Sequence, residues 1–357
     1  MWTQLLGCIL RECSFRALEA LIRSPARRAM GVGCRFGDDA LAYFTERLDP
    51  ERMRGALVSV LKRAKRNKAF DDTVLIGLAV DGTSAGRSRF WRCRLCHPVY
   101  DASHQLRGHR HQLSMISVVG TGLSLPFDVE PYEPGDSEYA ASQRLLERAV
   151  QRLGRRFANY VVGDGEYATA PFLHAASDLG LHVVARLKGN LPGLFAAAQR
   201  RFDGQAPSLT MQAEGDWVEL WDADEFDPWE NLRWSTVRVL RYRQHKSDGK
   251  VVEAYWLTNF SSRRVSSQTL YRLAKSRWEV ENQGFNDGKS RYGMSHIRHH
   301  HANSVLVCWL LMLLALVIER LYRLRYLHRG DRVPYTSIEL LRLLRQNLFA
   351  SKAWDTS

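Results

Sequence analysis

Cysteine is sparse and scattered in this chain: Cys8, Cys13, Cys34, Cys93, Cys96 and Cys308 are six among 357 residues. Domains that rely on disulfides concentrate cysteine in a short chain, so a disulfide framework is excluded as the organising principle. No uncharged apolar run reaches the roughly 18–20 residues that cross a bilayer. The strongest, Val305 to Ile318, falls short and reads as a buried core helix rather than a membrane span. Met1 to Leu10 has neither a basic start nor a small-residue cleavage site, which makes a poor signal peptide, and a cytoplasmic location is expected. Repeats at a fixed period and low-complexity segments are also missing. Acid is in deficit, with 38 Asp+Glu against 51 Lys+Arg and a formal charge of +13. Such an excess favours a polyanionic partner, because each neutralised phosphate releases a counterion, although an unspecialised basic surface gives the same count. Hydrophobic residues at 45% and charged residues at 25% exclude a disordered chain.

Residues 1 to about 70 carry apolar positions at helical spacing, as in Leu41, Phe44 and Leu48 or Leu57, Val60 and Leu61. The end of this stretch holds Arg54, Lys62, Arg63, Lys65 and Arg66, which reads as a DNA-contacting face in preference to a solvated one. Val74 to Val80 is a continuous apolar run ending in Asp81-Gly82, the pattern of a strand buried on both faces. Gln112–Val119 and Leu123–Glu130 read as a hairpin around Gly120-Thr121-Gly122. Asp136-Ser137-Glu138 supplies a cap and first-turn acid for a helix with Leu145, Leu146, Ala149, Val150 and Leu153 on one side. Tyr160-Val161-Val162 is a short strand stopping at Gly163-Asp164-Gly165, followed by a helix with Thr169 and Pro171 at its start and Gly180 at its end. Val183–Leu187 reads as another strand, residues 191–250 as a β-rich segment, Val251–Phe260 as a strand and Ser267–Asp287 as one helix. Strands with helices interleaved after the third argue a mixed α/β sheet.

An aspartate at the end of a buried strand costs desolvation unless something compensates it. Asp81 and Asp164 both occupy such places, each beside a glycine that lets a ligand or another segment approach the backbone. Alone, either reads as a turn residue; together with a third acid they read as ligands of two divalent ions. That acid is found in Arg277-Trp278-Glu279-Val280-Glu281-Asn282, continuing through Gly284-Phe285-Asn286 to Lys289, which resembles the glutamate helix of the DDE transposases of bacterial insertion sequences. Asp81-Gly82-Thr83 resembles the first-aspartate strand of that family, Val162-Gly163-Asp164-Gly165-Glu166-Tyr167 the second, and Arg186-Leu187-Lys188 the strand after it. The resemblance spans roughly residues 72–325 and implies an α/β, ribonuclease H-like mixed sheet with flanking helices and a β-rich insertion. It further implies cleavage of transposon ends and transfer of the freed 3′-hydroxyls to target DNA, with two Mg²⁺ or Mn²⁺ ions on Asp81, Asp164 and Glu281. Double-stranded DNA is the expected partner, bound by a homodimer, with Lys188, Arg277 and Lys289 near the chemistry and Lys62, Arg63, Lys65 and Arg66 further out. The expected organisation is a DNA-binding segment at 1–70, a core split between 71–190 and 251–330 by an insertion at 191–250, and a tail at 331–357. A nuclease that cuts without joining, and a DNA-binding descendant without catalysis, are the other readings.

This chain departs from the family where many relatives carry a Tyr three residues before the Arg and a Lys seven after the Glu. Those places hold Ala274 and Gly288, with Tyr271 and Lys289 nearby. Lys289 is thereby about 80° further round an ideal helix from Glu281 than two full turns would put it. Glu279 rivals Glu281 as third acid, and spacing from Trp278 and Phe285 favours Glu281. Arg277 suits either a phosphate or a neighbouring acid. Cys93-x-x-Cys96 is half of a zinc site, so two free thiols are expected there in preference to zinc. His299-His300-His301 reads as a basic, solvated turn, and Trp217, Trp221, Trp229 and Trp234 as core of the β-rich segment rather than a base-stacking surface. The C-terminal Arg320, Arg323, Arg325, Arg329 and Arg332 form a second basic stretch.

Overall fold

The structure, a computed structural model, describes residues 1–71, 73–213, 215–327 and 335–350. The run before Asp81 forms a buried strand, β1 (Gly77–Ser88), but the strand continues through the aspartate for seven more residues instead of stopping there. It continues because β3 (Leu106–Val119) is long enough to pair with it along its whole length, Asp81 opposite Met115. The inner half of β3 pairs with β4 (Leu125–Tyr132) and its outer half with β2 (Cys96–Tyr100), a strand the composition did not announce. On the other side β1 pairs in parallel with β5 (Tyr160–Gly163), and β5 in parallel with β6 (His182–Leu187). Three antiparallel strands followed by two parallel ones, in the order β4-β3-β1-β5-β6, make the ribonuclease H-like mixed sheet. The sheet does not end there. β10 (Val251–Thr258) pairs antiparallel with β6, and β9 (Val237–His245), β8 (Asp216–Phe226) and β7 (Leu209–Ala213) follow as a meander. Strands from the inserted segment therefore extend the core sheet edge to edge.

Five helices precede the sheet: α1 (Trp2–Ile9), α2 (Phe15–Arg23), α3 (Ala26–Ala29), α4 (Asp38–Arg47) and α5 (Pro50–Arg66). In α5 the Asp49 side chain accepts from Glu51 N, Pro50 occupies the first turn, and Met53, Leu57, Val58, Leu61 and Ala64 form the buried stripe. α6 (Glu138–Leu153) starts where the sequence placed it, with Ser137 accepting from Ala140 N, and covers β3 and β4. α7 (Ala170–Asp178) follows β5, and α8 (Pro192–Phe202) lies inside the range read as β-rich. Its buried Leu194, Ala198 and Phe202 recur every four residues, a helical signal outweighed by the strands that follow. The span expected as one helix is broken into α9 (Ser267–Lys275), α10 (Arg277–Glu279), a π turn (Val280–Phe285) and α11 (Asn286–Ser290). α12 (Ala302–Tyr322) is 21 residues, longer than its uncharged run, and long and apolar enough to cross a membrane. Here 72% of that apolar stretch is buried, against α1, α4, α5 and β4, which explains a helix apolar on every side. α13 (Ser337–Ala350) closes the described chain.

Arg54 was grouped with the DNA-facing bases, and the structure assigns it elsewhere. It is buried, donating from Nε to Asp128 Oδ1 at 2.9 Å and from Nη2 to the Val129 carbonyl at 3.2 Å, which locks α5 onto β4. Arg148 of α6 holds the other oxygen of Asp128 at 2.7 Å and Glu130 at 2.8 Å. Arg54→Ala removes one cation from a buried carboxylate and is expected to cost about 3 kcal/mol or more in urea unfolding. Exposed Arg52, 3.9 Å from Asp49, should cost less than about 1 kcal/mol when replaced by Ala. Equal small losses for both variants would contradict this assignment.

Candidate active site

β5 is only four residues long, and its pairing with β1 ends at Ala79 opposite Val162. Asp81 and Asp164 each lie two residues beyond that last pair, Asp81 within β1 and Asp164 just past the end of β5. Asp81 remains inside a strand, with Oδ1 accepting from Gly82 N at 2.9 Å. Asp164 caps a single 3₁₀ turn (Gly165–Tyr167), and its Oδ2 accepts from Lys188 Nζ at 2.8 Å, Lys188 lying just past the end of β6. Asn190 donates to the Gly165 carbonyl at 2.7 Å and fixes that turn.

The third acid arrives from the broken helix. Arg277 is buried, and its Nη1 donates to Glu281 Oε1 at 2.9 Å and reaches Asp81 Oδ2 at 3.4 Å. One guanidinium thus joins the first aspartate to the glutamate, while Asp164 is close enough to be stabilised by its charge. Among the described residues the three carboxylates do not come within 4.8 Å of one another as a set: Arg277 contacts Asp81 and Glu281, and Lys188 holds Asp164. Glu279 points away: its Oε2 accepts from Gly120 N at 3.0 Å, and it lines a different cavity, shared with Tyr271 and Gln283. Burial pushes the Glu279 carboxyl up to about 7, against the pull of Gly120 N–H and Arg320.

A fourth acid escaped the sequence reading. Glu138 was read as a first-turn acid, but its carboxylate lies against Gly82, accepting from Tyr167 Oη at 3.0 Å. A Cβ at position 82 would stand 1.8 Å from the Glu138 carboxyl carbon, so only glycine there lets this acid approach Asp81. Burial pushes the Asp81 carboxyl up to about 7; Arg277 opposes the rise, and the negative charges of Glu281 and Glu138 add to it. For Asp164 burial also acts upward, but the Lys188 ammonium and the Gly165 N–H outweigh it and hold the carboxyl below its ordinary value.

Lys289 donates to Thr83 Oγ1 at 2.5 Å, two residues beyond Asp81 on β1. The offset that an ideal helix gives it is removed by the π turn, whose wider ring absorbs one extra residue between Glu281 and Lys289. Eight residues here act like seven, which returns the lysine to the glutamate's face. Tyr271, by contrast, is buried edge-on to Tyr242 in the core. An open groove of about 780 Å³ leads away from Asp164 between Lys188, Asn190, Pro171, His174, Trp229 and Arg233. Of the tryptophans in the inserted segment, Trp221 is core, donating to the Gln205 carbonyl at 2.9 Å, while Trp217 is exposed.

On α5, Lys62, Arg63 and Arg66 are exposed, whereas the Lys65 ammonium donates to the carbonyls of Arg156 and Phe157 at 3.0 and 2.7 Å. Arg320 is internal: it is buried and donates to the carbonyls of Ser124 and Gln283 and to Asp287 Oδ2, the last at 2.8 Å. It ties α12 to the π turn and is not a free base; Arg329 and Arg332 lie outside the described residues.

A carboxyl with its pKa raised from 3.8 to about 7 keeps a proton in the folded protein that the unfolded chain has released. The stability this group contributes is therefore complete below about pH 4 and is lost as the pH rises through about 7. In buffer free of Mg²⁺ and Mn²⁺, Asp81→Asn should be more stable than the parent at pH 8, by on the order of 1–3 kcal/mol, and equal to it at pH 4. A variant less stable than the parent at pH 8 would show that the ionised Asp81 is held favourably.

Residues 73–318, more than half of the chain, match the family model described as transposase DDE domain. No curated protein sequence matches. Among solved structures the chain is similar to the piggyBac transposase synaptic complex with hairpin DNA, determined by cryo-EM, at 11% identity and a TM-score of 0.43. That alignment covers 79% of this chain and 55% of the other, so this chain spans about half the length of that protein. With the family model covering both strand aspartates, the glutamate helix and all ten strands, the chain belongs to the transposase DDE domain family.

Proposed function

We propose that this protein cuts transposon-end DNA and joins the freed 3′-hydroxyls to target DNA, with Asp81, Asp164 and Glu281 as its catalytic carboxylates. The observation that carries the reading is the single Arg277 guanidinium between Asp81 and Glu281, with Asp164 at the next strand end. Carboxylates that collect around one cation form a hard-oxygen donor set, and that set suits two Mg²⁺ or Mn²⁺ ions. When bound, such ions supply activation of the attacking oxygen and neutralisation of the leaving one in an in-line displacement.

The chain's own residues do the rest. Asp81 and Asp164 hold the reacting centre from adjacent strand ends, and Glu281 closes it from the broken helix. Arg277 restrains Asp81 and Glu281 before loading, and Glu138 adds negative charge from behind Gly82. Lys188 and Lys289 flank the site and take phosphate oxygens on either side of the scissile bond. The duplex lies along the exposed Lys62, Arg63 and Arg66 of α5, in a helical DNA-binding segment that ends near residue 70, with residues 191–250 bordering the groove beyond Asp164. Two copies act on paired ends, in the bacterial cytoplasm.

Glu281→Gln keeps size and helix but removes the charge that holds a divalent ion. It should lower end cleavage in Mg²⁺ by at least about 10²-fold while leaving gel-shift affinity for the same end DNA nearly unchanged. Glu279→Gln, whose side chain serves the Gly120 turn, should cleave within about tenfold of the parent. A dead Glu279 variant beside a normally cutting Glu281 variant would transfer the role to Glu279.

A further inference from the structure

Away from the carboxylates, at the outer end of the β2–β3 ribbon, four side chains from three distant stretches of chain meet. Cys93 and Cys96 flank the turn into β2, His111 lies in β3, and His300 lies in the link between α11 and α12. One potential ligand atom from each falls within 4.8 Å of all the others, and among the described residues no other group of three or more His, Cys, Asp or Glu does so. We propose that Cys93, Cys96, His111 and His300 bind one structural zinc ion.

The spacing is that of a tetrahedron around zinc. Bonds of about 2.3 Å to sulfur and 2.0–2.1 Å to nitrogen set edges of about 3.8 Å between sulfurs and about 3.5 Å between sulfur and nitrogen. The Cys93 and Cys96 sulfurs are 3.8 Å apart, and His111 Nε2 lies 3.2 and 3.8 Å from them. A sulfur separation of 3.8 Å is far too long for a disulfide, and both cysteines are free. The chemistry of the four also fits. Two thiolates and two imidazoles are a donor set that structural zinc takes. The buried Nδ1 of His300 has no hydrogen-bond partner, and His111 presents its Nε2 to both sulfurs.

The surroundings hold the ligands in place. Trp309 of α12 stands edge-on to the His111 ring, with 6.3 Å between centroids, and its Nε1 donates to the Met294 carbonyl at 3.1 Å. Gly86, in the bulge of β1 at φ +71°, lets the strand pass between Ile297 and His111; a Cβ there would lie 2.5 Å from Ile297 Cγ1. Neighbouring His97 and His299 are occupied otherwise, with the Tyr132 carbonyl at 2.8 Å and Glu46 at 2.7 Å. Zinc at this place staples the outer β2–β3 ribbon, whose β3 pairs with Asp81 and Thr83 of β1, to the segment between the glutamate helix and α12. A lone Cys-x-x-Cys pair is half a site in sequence, because the fourth ligand is 189 residues beyond His111.

The test uses the full chain purified without added metal or chelator. Elemental analysis should give about one zinc per chain, and X-ray absorption at the zinc edge should show two sulfur and two nitrogen neighbours at about 2.3 and 2.0–2.1 Å. Cys96→Ser should retain about a tenth of the zinc or less, and His300→Ala should weaken zinc retention against a chromogenic chelator at least tenfold. His301→Ala should behave as the parent. Zinc-free parent protein whose Cys93 and Cys96 both react promptly with a thiol reagent in the folded state would overturn the proposal. So would a first shell without two sulfurs. The absorption spectrum is read on the parent alone, so it decides even where a variant fails to fold. None of these readouts depends on DNA cleavage.

Discussion

Carboxylates gathered at one end of a sheet repel one another and lose hydration together, and the rest of this molecule is arranged around that cost. β1 reaches past β5, so Asp81 and Asp164 both lie beyond the last paired residues of the two strands. Gly82 has no side chain, so Glu138 closes in as well. The compensation is cationic: Arg277 between Asp81 and Glu281, and Lys188 on Asp164. Even so, Asp81 is raised to about 7, because Arg277 and the Gly82 N–H do not offset burial and the negative charges of Glu281 and Glu138. A site so short of positive charge is poised to take up more of it, from metal ions. That is the physical basis for reading it as catalytic, beyond what family membership alone supplies.

Helix geometry serves the same end. A regular helix from Ser267 to Asp287 would put Lys289 out of line with Glu281; the π turn brings it back to Thr83. Distortions of this kind collect at functional sites, and this one is held from outside by Arg320 on the Gln283 carbonyl and Asp287. The basic C-terminal stretch thus begins with a residue that secures the glutamate segment.

What could be read from the sequence follows from how local each signal is. A strand leading up to Asp81, a strand ending near Val162 and the cap at Ser137 depend on neighbouring residues, and they stand where expected. The extent of β1 could not be read, because Asp81 to Ser88 is a strand only by virtue of pairing with β3. Arg54 and Arg320 looked like surface charge because their partners, Asp128 and Asp287, are distant in sequence. Glu138 at a helix start is indistinguishable from an ordinary first-turn acid until Gly82 is seen against it. The Lys289 offset was visible as an anomaly, and its resolution required a backbone irregularity that composition does not encode.

The central claim is that the site between β1 and β5 accepts divalent cations on Asp81 and Asp164 together. Anomalous diffraction from crystals of the chain with Mn²⁺ and end DNA tests it most directly. A manganese peak bonded to carboxylate oxygens of both aspartates is expected, with Arg277 withdrawn from Asp81. Manganese bound beside Glu279 and the Gly120 turn, with Asp81 still paired to Arg277, would contradict it.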